Sequence, residues 1–149
     1  MIYKIWHSYC TKIHKPELPM KILIIDDEEF FIENLAQYLS KKIPAEIRYV
    51  SRAEQALQLL KKERYELVSC DLNLPDQTEG ELVVSINKLN PSQRFIIISA
   101  KSEQELPAFM GKSKHFNIYG YFEKPFNVET IKDSILELTK MEYKNSIKA

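Results

Sequence analysis

A chain of 149 residues is about one domain's worth, long enough for a real core and too short for a comfortable two-domain enzyme. Lys plus Arg and Asp plus Glu are equal at 21 each, so net charge gives no push toward nucleic acid or an anionic membrane. Cys10 and Cys70 are too few and too far apart for a disulfide framework or a thiolate metal site. That fits a reducing cytosol, with Cys70 as a small core residue.

Residues 1–19 differ from the rest. Ile2, Trp6, Tyr9 and Ile13 fall at helical spacing, and Pro16 and Pro19 then punctuate the chain. This leader reads either as a short docking helix or as a loose extension. It lacks the compact apolar region of a secretory signal, and nothing in the chain reaches the roughly 18 apolar residues of a membrane span, so a cytoplasmic protein is expected.

From Met20 onward strand and helix signals alternate. The first strand is Lys21–Ile25, and the first helix runs from about Glu28 to Lys41 until Pro44 ends it. The second strand is Glu46–Val50. Ser51-Arg52-Ala53-Glu54 then has the S-x-x-E capping pattern and opens a helix reaching about Glu63, where Lys61-Lys62-Glu63-Arg64 reads as a solvated helix end. The third strand is Leu67–Asp71. A turn leads to a helix near Gly80–Leu89, stopped by Asn90-Pro91, and the fourth strand is Arg94–Ala100. Ser102 with Glu105 forms another capping pair, but Pro107 and Gly111 make the fourth helix short or irregular. The fifth strand is Ile118–Glu123, and Asn127 caps a fifth, last helix to about Met141 or beyond.

Five such repeats with short connections imply an α/β fold: a doubly wound, five-stranded parallel sheet in flavodoxin-like order 2-1-3-4-5, with helices on both faces. The units expected are 1–19 as N-terminal extension or docking segment, 20–141 as the domain, and 142–149 as a tail or the end of the last helix.

Chemistry-bearing residues close the apolar runs: Asp26-Asp27 after KILII, Asp71 after LVSC, Ser99 after FIII and Lys124 after GYFE. Residues past the carboxyl ends of parallel strands converge where ligands bind, so Asp26, Asp27 and Asp71 should share one crevice. Three carboxylates within about 5 Å repel by several kcal/mol, and an all-oxygen set asks for Mg²⁺ or Mn²⁺ rather than zinc. A divalent ion, the Lys124 ammonium and the Ser99 hydroxyl around Asp71 would neutralise the oxygens of a transferred phosphoryl group. Asp71 is then the acceptor and the product an aspartyl phosphate. Taken singly, each residue also has a plain structural use: an acidic pair suits a helix N-terminus, Ser99 a loop cap, and Lys124 a surface.

The ordered set of LIIDDEE, CDLNLP with Pro75, Ser99-Ala100, and Tyr121 three residues before Lys124-Pro125 resembles the receiver domain of two-component response regulators, in particular single-domain chemotaxis-type regulators. The 44-residue separation of Asp27 and Asp71 is also that of the family, and the resemblance covers roughly 21–139. It implies metal ligation by Asp27, Asp71 and the Asn73 carbonyl, with Asp26 helping through water. It implies phosphoryl binding by Lys124, sensing by Ser99, and an aromatic switch at Tyr121. Asn73 and Lys101 occupy variable flanking positions that tune hydrolysis, and the Lys124-Pro125 peptide is cis in most relatives.

The implied partners are a histidine kinase or phosphotransfer protein carrying phosphohistidine and a downstream protein, with a homodimer through the face of the fourth helix, fifth strand and last helix as a further option. No direct nucleic-acid or membrane contact is expected. The remaining readings are a pseudo-receiver that binds partners without phosphorylation, and a Mg²⁺-dependent phosphatase with an aspartyl nucleophile. That enzyme would carry Asp-x-Asp after its first strand, whereas here the pair is adjacent. The sequence departs from the family at the leader and at Gly80, one residue further past the acceptor than usual. It departs again in the long stretch from Ser99 to Lys124 with Pro107, Gly111 and His115.

Overall fold

The computed structural model describes residues 19–108, 110 and 116–148, with side chains described as far as 141. The leader up to residue 18, and Gly111 and His115 in the stretch before the fifth strand, lie outside the described residues.

Five strands form one parallel sheet in the order β2-β1-β3-β4-β5: β1 (Met20–Ile25), β2 (Ala45–Val50), β3 (Leu67–Asp71), β4 (Arg94–Ser99) and β5 (Asn117–Glu123). The helices are α1 (Glu29–Lys42), α2 (Ala53–Lys62), α3 (Glu81–Leu89) and the last helix, α4 (Val128–Lys148). Between β4 and β5 the described residues include a 3₁₀ turn, Glu103–Glu105. The expected capping pair is present there, with Ser102 N–H and Oγ both donating to Glu105 Oε2, at 2.9 and 2.8 Å. Pro107 follows within two residues and lacks an N–H to continue a helix.

The central strands are continuous Ile, Leu and Val runs because both faces are covered. Alternation sends Leu23, Ile25, Val68, Cys70, Phe95 and Ile97 to a core with α2 and α3 residues such as Ala56 and Val83. Ile22, Ile24, Ile96 and Ile98 go to the opposite core, with Leu35 of α1 and Ile135 of α4. Tyr38 of α1 also donates a hydrogen bond to Glu129 of α4, tying the two helices on that face. At the edge, β5 is only half-buried, and a Cβ at Gly120 would stand 2.9 Å from Cε2 of Phe122, so any larger residue there must displace that ring.

The start of α2 corrects the sequence reading. Arg52, in extended conformation, occupies the N-cap position without a side-chain cap, while Ser51 Oγ donates instead to Glu29 Oε1 at 3.1 Å. The cap comes from across the sheet edge. Asp76, in the loop after β3, accepts the N–H groups of Ala53 and Glu54 at 3.1 Å each. Asp76→Ala is therefore expected to cost about 1 kcal/mol in urea unfolding, and Ser51→Ala under half of that, the reverse of the order implied by a local cap. The same loop closes at Gly80, whose φ of 74° lies in the left-handed region. Its N–H donates to the Leu72 carbonyl at 3.1 Å, which closes the loop with a hydrogen bond.

Candidate functional site

Register decides what meets at the carboxyl edge. Ile25 pairs with Cys70, so one further residue sets Asp26 beside Asp71. Ser99 pairs with Glu123, which sets Lys124 one residue past the end of β4. Lys124 N–H also donates to the Ser99 carbonyl at 2.8 Å, and the Lys124-Pro125 peptide is cis. Asp26, Asp27 and Asp71 each place an oxygen within 4.8 Å of the others, and Asp26 and Asp71 are buried while Asp27 is at the mouth.

Lys124 is the cation of the crevice. Its Nζ lies 2.7 Å from Asp26 Oδ2, 2.8 Å from Glu28 Oε1 and 2.9 Å from Asp71 Oδ2. The last two contacts are well-formed hydrogen bonds. The first has ion-pair distance without hydrogen-bond geometry, and Asp26 Oδ2 is buried with no hydrogen-bond donor aligned on it. Its other oxygen accepts Glu28 N–H at 2.9 Å. Burial raises the Asp26 carboxyl to about 6, against the pull of Lys124 and the Glu28 N–H. Burial alone would lower the Lys124 ammonium, but its close contacts with the carboxylates of Asp26, Glu28 and Asp71 outweigh that and hold it above its ordinary value.

Behind Lys124 stands an aromatic shelf. Nζ is 5.2 Å from the centroid of Phe31, which meets Phe126 edge-on at 5.7 Å, and Phe126 packs against Phe122 at 5.9 Å. Phe31 and Glu28 are parts of the site that the sequence reading did not single out. Glu28 was visible only as one more acid in LIIDDEE.

The opposite wall carries the other expected residues. Asn73 N–H donates to Asp71 Oδ1 at 2.9 Å, fixing the carboxylate plane and bringing the loop backbone alongside it. Ser99 is fully buried, its Oγ accepting Lys101 N–H at 3.1 Å. Tyr121 donates to the Lys101 carbonyl and its ring packs on the α2/α3-side core. Burial raises its hydroxyl above the ordinary value, against a hydrogen bond with Ser99. Lys101 Nζ is held by Glu79 Oε2 at 2.8 Å. Asp26, Asp27, Asp71 and Lys124 are thus together in one crevice, while the Ser99 side chain is engaged by the Lys101 N–H beside it.

Three carboxylates, those of Asp26, Glu28 and Asp71, share one ammonium, and Asp27 adds a fourth acid whose oxygen lies within 4.8 Å of those of Asp26 and Asp71. An all-oxygen set of this kind fits a hard divalent cation.

A buried aspartate at the centre of a doubly wound parallel sheet, with acids on the neighbouring strand and a lysine and hydroxyl from the strands beyond, sets an acidic crevice at the carboxyl edge of a flavodoxin-like α/β domain. The chain matches the family model for the response regulator receiver domain over residues 22–136, and it belongs to that family. It is 32% identical over 133 residues to the sensory transduction protein LytR of Staphylococcus epidermidis, covering 87% of this chain and 50% of that protein. It is 29% identical over 115 residues to sporulation initiation phosphotransferase F of Bacillus subtilis, covering 77% of this chain and 90% of that one. Among solved structures it resembles the response regulator TrrA of Thermotoga maritima in complex with Mg²⁺-BeF. The TM-score is 0.67 at 25% identity, with 80% of this chain and 98% of that chain covered. The chain spans about half the length of LytR. Receiver domains are signalling domains of two-component systems and take phosphoryl groups from histidine kinases or phosphotransfer proteins. Among the described residues no helix is long and apolar enough to cross a membrane.

Proposed function

We propose that Asp71 accepts a phosphoryl group from a phosphohistidine partner and that the resulting aspartyl phosphate switches the surface around β5. The observation that carries this is the placement of Asp71. It is buried and central, with Lys124 2.9 Å from Oδ2 and the Asn73 N–H 2.9 Å from Oδ1. A carboxylate oxygen of Asp71 attacks phosphorus, the P–N bond breaks, and the imidazole leaves with the electron pair. Lys124 binds the oxygens of the arriving group, and the buried acids keep water and counter-charge in fixed places.

Asp26, Asp27, Asp71 and the Asn73 carbonyl are the groups that would hold Mg²⁺, in line with the Mg²⁺-BeF complex of TrrA. When bound, Mg²⁺ would offset the repulsion between these carboxylates and the phosphoryl oxygens.

Ser99 and Tyr121 read out the new charge. Both already converge on Lys101, Ser99 through the backbone N–H and Tyr121 through the carbonyl. A phosphoryl oxygen that draws in the Ser99 hydroxyl would loosen that N–H bond and so shift the backbone on which Tyr121 rests. Moving a switch from 1:99 to 99:1 takes about 5.5 kcal/mol of differential interaction, a scale that a dianionic group on a metal and a lysine can supply. Water then hydrolyses the acyl phosphate, at a rate set by the flanking Asn73 and by Lys101 in its pairing with Glu79. A downstream protein, or a second copy, would read the face of β5 and α4, and no step involves nucleic acid or a membrane.

The test is incubation with Mg²⁺ and acetyl phosphate, followed by intact-mass measurement. One added phosphoryl mass is expected in the wild type and none in Asp71→Asn or with EDTA. A folded, Mg²⁺-binding wild type that remains unmodified by acetyl phosphate and by a phosphorylated donor protein would overturn the reading.

A further inference from the structure

Glu28 is the carboxylate at the crevice for which phosphoryl acceptance has no use. Its side chain is 63% exposed, it stands at the N-cap of α1, and it is not one of the three acids whose oxygens cluster within 4.8 Å. It nevertheless holds Lys124 as closely as the buried acids do, with Oε1 2.8 Å from Nζ. An ammonium has three N–H groups, and Lys124 faces three anionic oxygens, those of Asp26, Glu28 and Asp71.

A phosphoryl group on Asp71 turns a carboxylate of one negative charge into an acyl phosphate of close to two, and places three acceptor oxygens within reach of the same Nζ. One existing partner must then give way. Asp26 is buried and anchored by the Glu28 N–H, and Asp71 is the group being modified. Glu28 has neither constraint, and among the three it alone opens directly to water.

We propose that Glu28 is a displaceable placeholder. It occupies Lys124 before phosphorylation and is expelled when the phosphoryl group arrives, so its carboxylate opposes the phosphorylated state and sets how firmly the phosphoryl group is held. The proposal rests on the reading of Asp71 as the acceptor. Glu28 acts through Lys124 and is a positioning residue, not a member of the reacting set. Glu29 provides the matched control: it is the next acid in the chain, and its Oε1 accepts a hydrogen bond from Ser51 Oγ instead.

The measurement is the affinity of beryllofluoride, a non-hydrolysing stand-in for the phosphoryl group, followed by fluorine NMR at saturating Mg²⁺. Glu28 and Glu29 are both exposed at the start of α1, and circular dichroism checks that Glu28→Gln and Glu29→Gln are folded like wild type. Glu28→Gln is expected to bind roughly three- to fivefold more tightly, and Glu29→Gln to match wild type within about 1.5-fold. If wild type binds and the two variants shift equally or not at all, the placeholder is wrong and the Asp71 reading stands. If wild type and both variants give no bound signal while remaining folded and Mg²⁺-bound, the Asp71 reading itself falls and this proposal with it.

Discussion

Asp26→Asn is expected to stabilise the metal-free protein by about 1–2 kcal/mol at pH 7.5 and to weaken Mg²⁺ binding tenfold or more. The two effects have one cause. The Asp26 carboxyl is raised to about 6 because burial strips it of water faster than Lys124 compensates, and its Oδ2 has no aligned donor. A carboxyl whose folded value lies above its unfolded value near 3.8 binds its proton more tightly in the folded state. Stability therefore falls as pH rises from about 4 to about 6 and stays reduced above that, by an upper limit of roughly 3 kcal/mol. Asparagine keeps an oxygen for the Glu28 N–H and removes the charge, but it also takes one anion from Lys124, which trims the gain. Urea unfolding in EDTA between pH 4.5 and 7.5 should show the negative slope in wild type and its loss in Asp26→Asn. Saturating Mg²⁺ should reverse the order of the two proteins at pH 7.5. If Asp26→Asn is less stable than wild type in EDTA at pH 7.5, Asp26 is a net structural asset and the site does not store this cost.

The sequence made most of this crevice legible because β-strand chemistry is a local signal. An apolar run such as KILII or FIII marks its own end, and βα alternation then dictates which ends are neighbours. The observed strands differ from the expected ones by no more than a residue at either end, as at Met20–Ile25 and Arg94–Ser99. Sequence reading failed where a long-range contact outcompeted a local one. Ser51 and Glu54 have the spacing of a cap, yet the donors at the start of α2 go to Asp76, because the loop after β3 brings a second acid to the same helix end. Nothing in the linear spacing couples residues 53 and 76. Glu28 was missed for the opposite reason: it sits inside the motif, and an acid next to two others looks like helix-dipole complement until Lys124 is placed 2.8 Å away. Phe31 likewise belonged to the apolar stripe of α1 in the sequence, and only the fold turns its ring toward an ammonium.

Lys124→Ala is expected to be the most costly single change at the site, about 2–3 kcal/mol in EDTA at pH 7.5, because it removes the cation shared by the carboxylates of Asp26, Glu28 and Asp71. Part of the loss would come from the contact with Phe31, whose ring centroid lies 5.2 Å from Nζ, so the pairing with the acids and the contact with the ring have to be separated. Three changes of condition do this. Lowering the pH to 5 protonates Asp26, whose carboxyl is already raised with the lysine present and rises further without it, so the charge part of the loss should shrink. Saturating Mg²⁺ should shrink it as well, since a divalent ion replaces the missing positive charge. Combining Lys124→Ala with Asp26→Asn should recover 1 kcal/mol or more relative to the sum of the single effects, the coupling expected of two groups in contact. A loss that is the same at pH 5 and 7.5, indifferent to Mg²⁺ and additive with Asp26→Asn would assign Lys124 to the aromatic shelf alone. In that case the ammonium is not the counter-charge of the acidic set, and its closeness to Asp71 Oδ2 does not prepare it to bind a phosphoryl group.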